Sequence, residues 1–211
     1  MPDYDLDRGI ARENLSRLLA ACYYQPGPEF AEEKVFDSML AAAARIHPDL
    51  ASYAKRIGDA YAAEGHEALL LDYTRLFLGP NHIIAAPYGS IWLEGGKTVM
   101  GESTMAAVKL YEEGGFEMSE TFREVPDHIA VELEFLYLLI YRENEARRNG
   151  EAEALRAKTA LRKRFLDEHL GRWTGPFTSA VIAGAQSGFY RQLAGLTGRF
   201  VGMEAGEDRA G

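Results

Sequence analysis

Two stretches hold residues whose types and spacing invite chemistry. Pro126-Asp127-His128-Ile129-Ala130-Val131-Glu132-Leu133-Glu134-Phe135 gathers an imidazole and three carboxylates on one predicted helix start. His128 and Glu132 stand at i and i+4, a spacing that can chelate a metal. Neither a second histidine in an H-E-x-x-H arrangement nor a pair of Glu-x-x-His motifs accompanies them, so no metal is expected. The plainer expectation for His128 is a helix-start histidine bonded to a neighbouring carboxylate. Glu132 and Glu134, two apart, point to different faces and cannot share a substrate.

The second stretch, Asn81 to Gly101, supplies a serine and a glycine pair. Ser90 follows Tyr88-Gly89 but lacks the glycine that a nucleophile elbow has after its serine. Gly95-Gly96-Lys97-Thr98 ends like a phosphate-binding loop yet lacks the earlier glycine at the required spacing. No catalytic residue and no cofactor are expected, with GTP kept as an alternative. A small helical nucleotide-binding protein or hydrolase using Asp127 and His128 is the rival reading. Asp127 is otherwise suited to cap the helix it begins, by accepting from backbone N–H groups. Glu132 and Glu134 are harder to explain within so apolar a helix. One of them must face the core or a cleft, where a lone carboxylate is costly. A cation from a partner would resolve that cost.

The elements that must position these residues are helical. Ala and Leu are abundant while Val, Ile and Thr are sparse, a bias that favours helix. Apolar residues recur at spacings of three and four in predicted helices over 7–24, 29–45, 49–64 and 66–78. Further helices are predicted over 103–113, 126–149, 151–169, 173–186 and 189–200. Gln25-Pro26-Gly27-Pro28, His47-Pro48, Gly65, Gly79-Pro80, Gly114-Gly115 and Gly150 punctuate them. The expectation is an all-α, single bundle-like domain of about eight to nine helices, spanning 1–203, with a flexible tail at 204–211. Its loop at 79–101 is long for a helical domain and too rich in large apolar groups to be disordered, which marks it as functional. A short hairpin at Gly95-Gly96 is one option there. The helix at 126–149 is apolar enough to be the central one.

Composition narrows the function classes. The net charge of −9 disfavours nucleic acid. Cys22, the lone cysteine, cannot form an internal disulfide and reads as a small buried hydrophobe. The acidic N-terminus lacks the positive region of a signal peptide, and no apolar run reaches the ~18 residues of a membrane span. A cytoplasmic protein is expected.

Tyr73-Thr74-Arg75-Leu76-Phe77-Leu78-Gly79-Pro80, then Pro87-Tyr88-Gly89-Ser90-Ile91-Trp92, then Pro126 to Phe135 resemble the TorD/DmsD/NarJ redox-enzyme maturation chaperones. Phe165-Leu166-Asp167-Glu168-His169-Leu170 with Trp173, and Phe189-Tyr190 beyond, match in order and spacing. The resemblance covers roughly Leu18 to Phe200. It implies an all-helical, non-catalytic chaperone that binds the twin-arginine leader or the apo form of a molybdenum-cofactor oxidoreductase subunit until the cofactor is inserted. The partner would be that molybdopterin-containing subunit, and the chaperone a monomer or a domain-swapped dimer. Carried over, the peptide-binding residues would be Phe77, Gly79, Pro80, Pro87, Tyr88, Ser90, Trp92, Pro126, Asp127, His128, Glu132 and Phe135. Two guanidinium groups followed by an apolar stretch would need carboxylates beside an apolar groove. Asp127, Glu132 and the acidic run Glu112 to Glu124 would supply the first. Phe77, Tyr88, Trp92 and Phe135 would supply the second.

Overall fold

A computed structural model describes residues 6–27, 30, 34–79, 83–96, 99–117 and 124–206. Among them the regular structure is helical: α1 (Leu6–Cys22), α2 (Val35–Ile46), α3 (Pro48–Tyr73), α4 (Gly89–Leu93), α5 (Glu102–Gly114), α6 (Ile129–Arg148), α7 (Ala152–Phe165), α8 (Gly171–Gly184) and α9 (Gly188–Ala205). The all-helical expectation holds. The only strand-like pairing among the described residues is an isolated antiparallel bridge between Tyr88 and His128.

Local chemistry explains several boundaries. His47 accepts from Asp49 N through its Nδ1 and Pro48 opens α3, where its missing N–H costs nothing. Gly65, expected to separate two helices, does so: at φ 76° and ψ 167° it is non-helical and kinks α3 into two helical segments, a conformation that a side chain would strain. The end of α3 widens into a π turn at Thr74–Leu78, closed by Gly79 N donating to Thr74 O at 2.8 Å. The same widening at Leu166–Leu170 joins α7 to α8, where the sequence predicts two helices, 151–169 and 173–186, with a break between them. Of the predicted helix at 29–45, Phe30 is helical and α2 covers Val35–Ile46, while 29 and 31–33 lie outside the described residues; the stretch around Gly95-Gly96 forms turns after the short α4 rather than a hairpin.

α6 is the central helix. Ile129, Leu133, Phe135, Leu136, Leu139 and Ile140 are all fully buried, against α1 on one side and α7 on the other. One aromatic cluster (Tyr23, Phe77, Phe177 and Tyr190) fills the space among α1, the first π turn, α8 and α9. A second (Tyr111, Phe116, Phe135 and Phe165) joins α5 and α7 to α6. Cys22 is sealed in the core, where burial pushes its thiol up to about 12. α9 continues to Ala205, past the predicted start of the tail. Glu204 is buried there and binds Arg12 of α1 and Arg162 of α7.

Candidate functional site

The loop after the first π turn returns to the body as a strap. Ala85 N donates to Leu76 O at 2.9 Å, and Trp92 Nε1 closes the strap on itself by donating to Ala86 O at 2.8 Å. The strap then docks on the start of α6. Ile129 N donates to Pro87 O at 2.9 Å and Gly89 N to Asp127 O at 2.8 Å, the two bonds that flank the Tyr88–His128 bridge. Tyr111 OH of α5 donates to Pro126 O at 2.8 Å, fixing the approach to the helix from the other side.

Asp127 does not cap α6. Its Oδ2 accepts from Ser90 N at 2.7 Å, so the carboxylate caps the short helix α4 on the strap. His128 is the α6 cap: its Nδ1 accepts from Ala130 N at 3.2 Å. Its ring stacks on Tyr24, with centroids 6.0 Å apart, and meets the edge of Tyr88 at 5.5 Å. Burial pulls the imidazole down to about 4, so at neutral pH it is an uncharged cap and not the partner of a carboxylate.

Glu132 faces the interior one turn on. Its Oε1 lies 2.8 Å from His169 Nε2, and its Oε2 accepts from Trp173 Nε1 at 3.0 Å. Burial raises Glu132, against the opposing pull of His169 and Trp173. Burial lowers His169, but the Glu132 carboxylate outweighs it and raises the imidazole overall. The strap lies directly over this pair. A Cβ at Gly89 would sit 3.0 Å from both Glu132 Oε1 and Trp173 Nε1. A side chain there would push both neighbours back, so glycine suits the close approach.

The structure thus brings together Pro87, Tyr88, Ser90, Pro126, Asp127, His128 and Glu132, with Trp92 at the edge. It corrects three expectations. Glu132 is not a carboxylate awaiting a partner's arginine, because His169 and Trp173 already hold it. Phe77 and Phe135 line no open groove; each is an interior member of an aromatic cluster. Gly79 is half-buried and closes the π turn, and Pro80 lies outside the described residues. The residues that sequence reasoning missed are His169 and Trp173 as partners of Glu132. Their i, i+4 spacing places both on one helical face and was the available signal.

Matches to known proteins agree with this geometry. Residues 37–179 fit the family model described as the nitrate reductase delta subunit. The chain belongs to that family. Among its relatives, the chaperone protein TorD of Aliivibrio fischeri is 27% identical over 177 residues, covering 82% of this chain and 80% of that protein. The Tat proofreading chaperone DmsD of Salmonella typhimurium is 31% identical over 140 residues, covering 65% of this chain and 62% of DmsD. A solved structure described as a redox enzyme maturation protein from Archaeoglobus fulgidus shares the fold, with a TM-score of 0.55 at 23% identity over 90% of this chain and 93% of that one. The relatives of this family member are chaperones and not enzymes. The catalytic alternative also finds no support in the geometry: Asp127 and His128 are buried, and each already serves as a cap. Among the described residues no helix is long and apolar enough to cross a membrane.

Proposed function

We propose that the protein is a cytoplasmic maturation chaperone for a molybdenum-cofactor oxidoreductase. It binds the twin-arginine leader, the apo catalytic subunit, or both, and holds them until the cofactor is in place. One observation carries the reading: segments far apart in sequence, 87–92, 126–132 and 169–173, fold into a single junction whose polar groups serve binding geometry and not a reaction. His128 is the uncharged cap of α6, Asp127 Oδ2 caps the strap's short helix, and Glu132 is held by His169 and Trp173. Tyr24 at the end of α1, Tyr88 and Trp92 of the strap, and Glu124 and Glu134 about the α6 entry are half-buried. That chemistry suits a basic peptide with an adjacent apolar stretch. An acidic chain also speeds encounter with a basic leader at low ionic strength.

Calorimetry of the full chain with synthetic leaders from dimethyl-sulfoxide-, trimethylamine-N-oxide- and nitrate-type reductases tests the proposal. At least one leader should bind stoichiometrically, and the apo catalytic subunit should co-purify where the cofactor-loaded one does not. Absence of both outcomes would refute it.

A further inference from the structure

A second surface, built on α3, α8 and α9, carries the opposite charge. A hollow of about 290 Å³ is lined there by Tyr53, Arg56, Ile182, Arg191, Gln192 and Gly195. None of these residues belongs to the junction, and Ile182 stands two and a half turns beyond Trp173, about 14 Å along α8. The shape of the hollow follows from Gly195. A Cβ there would come within 2.5 Å of the Tyr53 ring, so glycine lets the ring lie on the backbone of α9. Ile182, 42% exposed, supplies an apolar wall.

The two guanidinium groups of the hollow are held in place but not neutralised. Arg56 donates from Nε to Gln192 Oε1 at 2.7 Å and from Nη1 to Ser52 Oγ at 2.8 Å. Its guanidinium carbon lies 4.7 Å from the centroid of the Tyr53 ring. Arg191 donates from Nη2 to Ala185 O at 2.8 Å. All three acceptors are uncharged. Arg12, Arg45, Arg75, Arg162, Arg164 and Arg199, by contrast, each meet a carboxylate. Asp49 and Asp59, the carboxylates on the same stretch of α3, are taken by Arg199 and Lys55. Among the described residues neither Arg56 nor Arg191 pairs with a carboxylate, in a chain whose net charge is −9. Their charge and their remaining N–H donors are available to a partner.

We infer that this hollow docks an acidic segment of a partner protein, one that carries an aliphatic side chain next to its carboxylates. A carboxylate between two guanidinium groups makes charge-assisted hydrogen bonds, and the planar fork of arginine matches its geometry. The neighbouring aliphatic side chain covers Tyr53 and Ile182. Volume sets the scale of the occupant. The hollow falls just short of the ~300–1,000 Å³ of small-molecule pockets and suits one or two side chains of a peptide. This surface stands apart from the junction and does not depend on leader binding there.

The test titrates the nitrogen-15-labelled full chain with an acetylated, amidated Glu-Glu-Leu-Glu-Glu peptide and follows the amide shifts. Shifts should centre on Tyr53, Arg191, Gln192 and Gly195 and saturate with a Kd below about 1 mM. Serine in place of the leucine should weaken binding about fivefold or more. Arg56→Glu with Arg191→Glu, both at exposed positions, should abolish the shifts. Arg148→Glu with Arg156→Glu makes an equal charge change at exposed arginines elsewhere. At physiological ionic strength it should leave Kd within about twofold. Equal losses in the two double variants, or indifference to the leucine, would mean a general charge effect and overturn the inference. Inorganic phosphate giving the same shifts with like affinity would overturn it too, as the mark of a simple anion site. So would absent shifts in the native chain, or native-like binding by the folded Arg56→Glu, Arg191→Glu chain. Each of these failures leaves the leader-binding reading standing.

Discussion

Two regions of this molecule bury charge, and they solve the problem in opposite ways. At one end, Arg12 of α1, Arg162 of α7, Glu143 of α6 and Glu204 of α9 form an alternating network. Arg162 donates to Glu143 at 2.8 Å and to Glu204 at 2.9 Å, and Arg12 pairs with the same Glu204. Burial pushes Glu204 up, but Arg12 and Arg162 outweigh it and hold the carboxylate below its ordinary range. At the other end, the strap junction buries Asp127, Glu132, His128 and His169 with no arginine or lysine among them. The first region balances its charges with its own residues and ties four helices together. The second closes around uncharged donors, backbone N–H, indole N–H and one shared imidazole, and carries a surplus of negative charge toward its surface. The balanced end suits a structural role, and the unbalanced end suits a partner that brings positive charge.

The contrast is testable from its strong side first. Arg162→Met keeps much of the volume but leaves Glu143 and part of Glu204 without a cation. It should cost about 3–5 kcal/mol in urea unfolding, the penalty of breaking a buried pair by removing one partner. A loss below about 1 kcal/mol would show that the network is not the internally balanced clasp described here.

The junction should respond to acid instead. His128 takes up its proton only near pH 4 when folded and near 6.5 when unfolded, so the unfolded chain binds more protons between these values. The stability linked to His128 is complete above about pH 6.5 and is lost as pH falls toward 4, amounting to about 3 kcal/mol. His128→Asn should retain the cap, since asparagine is a good N-cap, and remove this portion of the acid sensitivity. Urea midpoints measured across that pH range for both chains check it.

Gly89→Ala forces a methyl group against Glu132 and Trp173. Overpacking of this kind should cost roughly 1–3 kcal/mol. The effect should appear as faster amide exchange at Ser90 and Ile129, with little change in α9. Uniform acceleration across the chain would mean that the strap is not a separately docked unit. The smallest effect is Trp92→Phe, which removes only the indole bond to Ala86 O and should cost about 1 kcal/mol.

Much of the fold was legible because helical periodicity and breakers are local. Leu69, Tyr73, Leu76 and Phe77 reported their own buried face, and Gly79 and Gly115 fall where helices end. The site was legible in its parts but not in its wiring. Asp127 looked like a cap for its own helix because capping is usually local. Its actual acceptor role is toward Ser90 N, 37 residues away, which only tertiary docking creates. Glu132 looked unpaired because its partners lie on the second π turn and α8. Gly65, by contrast, was legible: its non-helical backbone breaks α3 where the sequence places a helix end. Phe77 and Phe135 were groove residues only by carry-over from the resemblance, since periodicity marks a face as apolar without saying whether it meets solvent or another helix.

Cys22 has a practical consequence. It is the chain's single thiol, fully enclosed among core side chains and held in its unreactive protonated form. A maleimide or disulfide reagent can therefore reach it only when α1 leaves the core. Labelling rate becomes a built-in clock for opening, readable by mass in native buffer, without mutation and with a client present or absent.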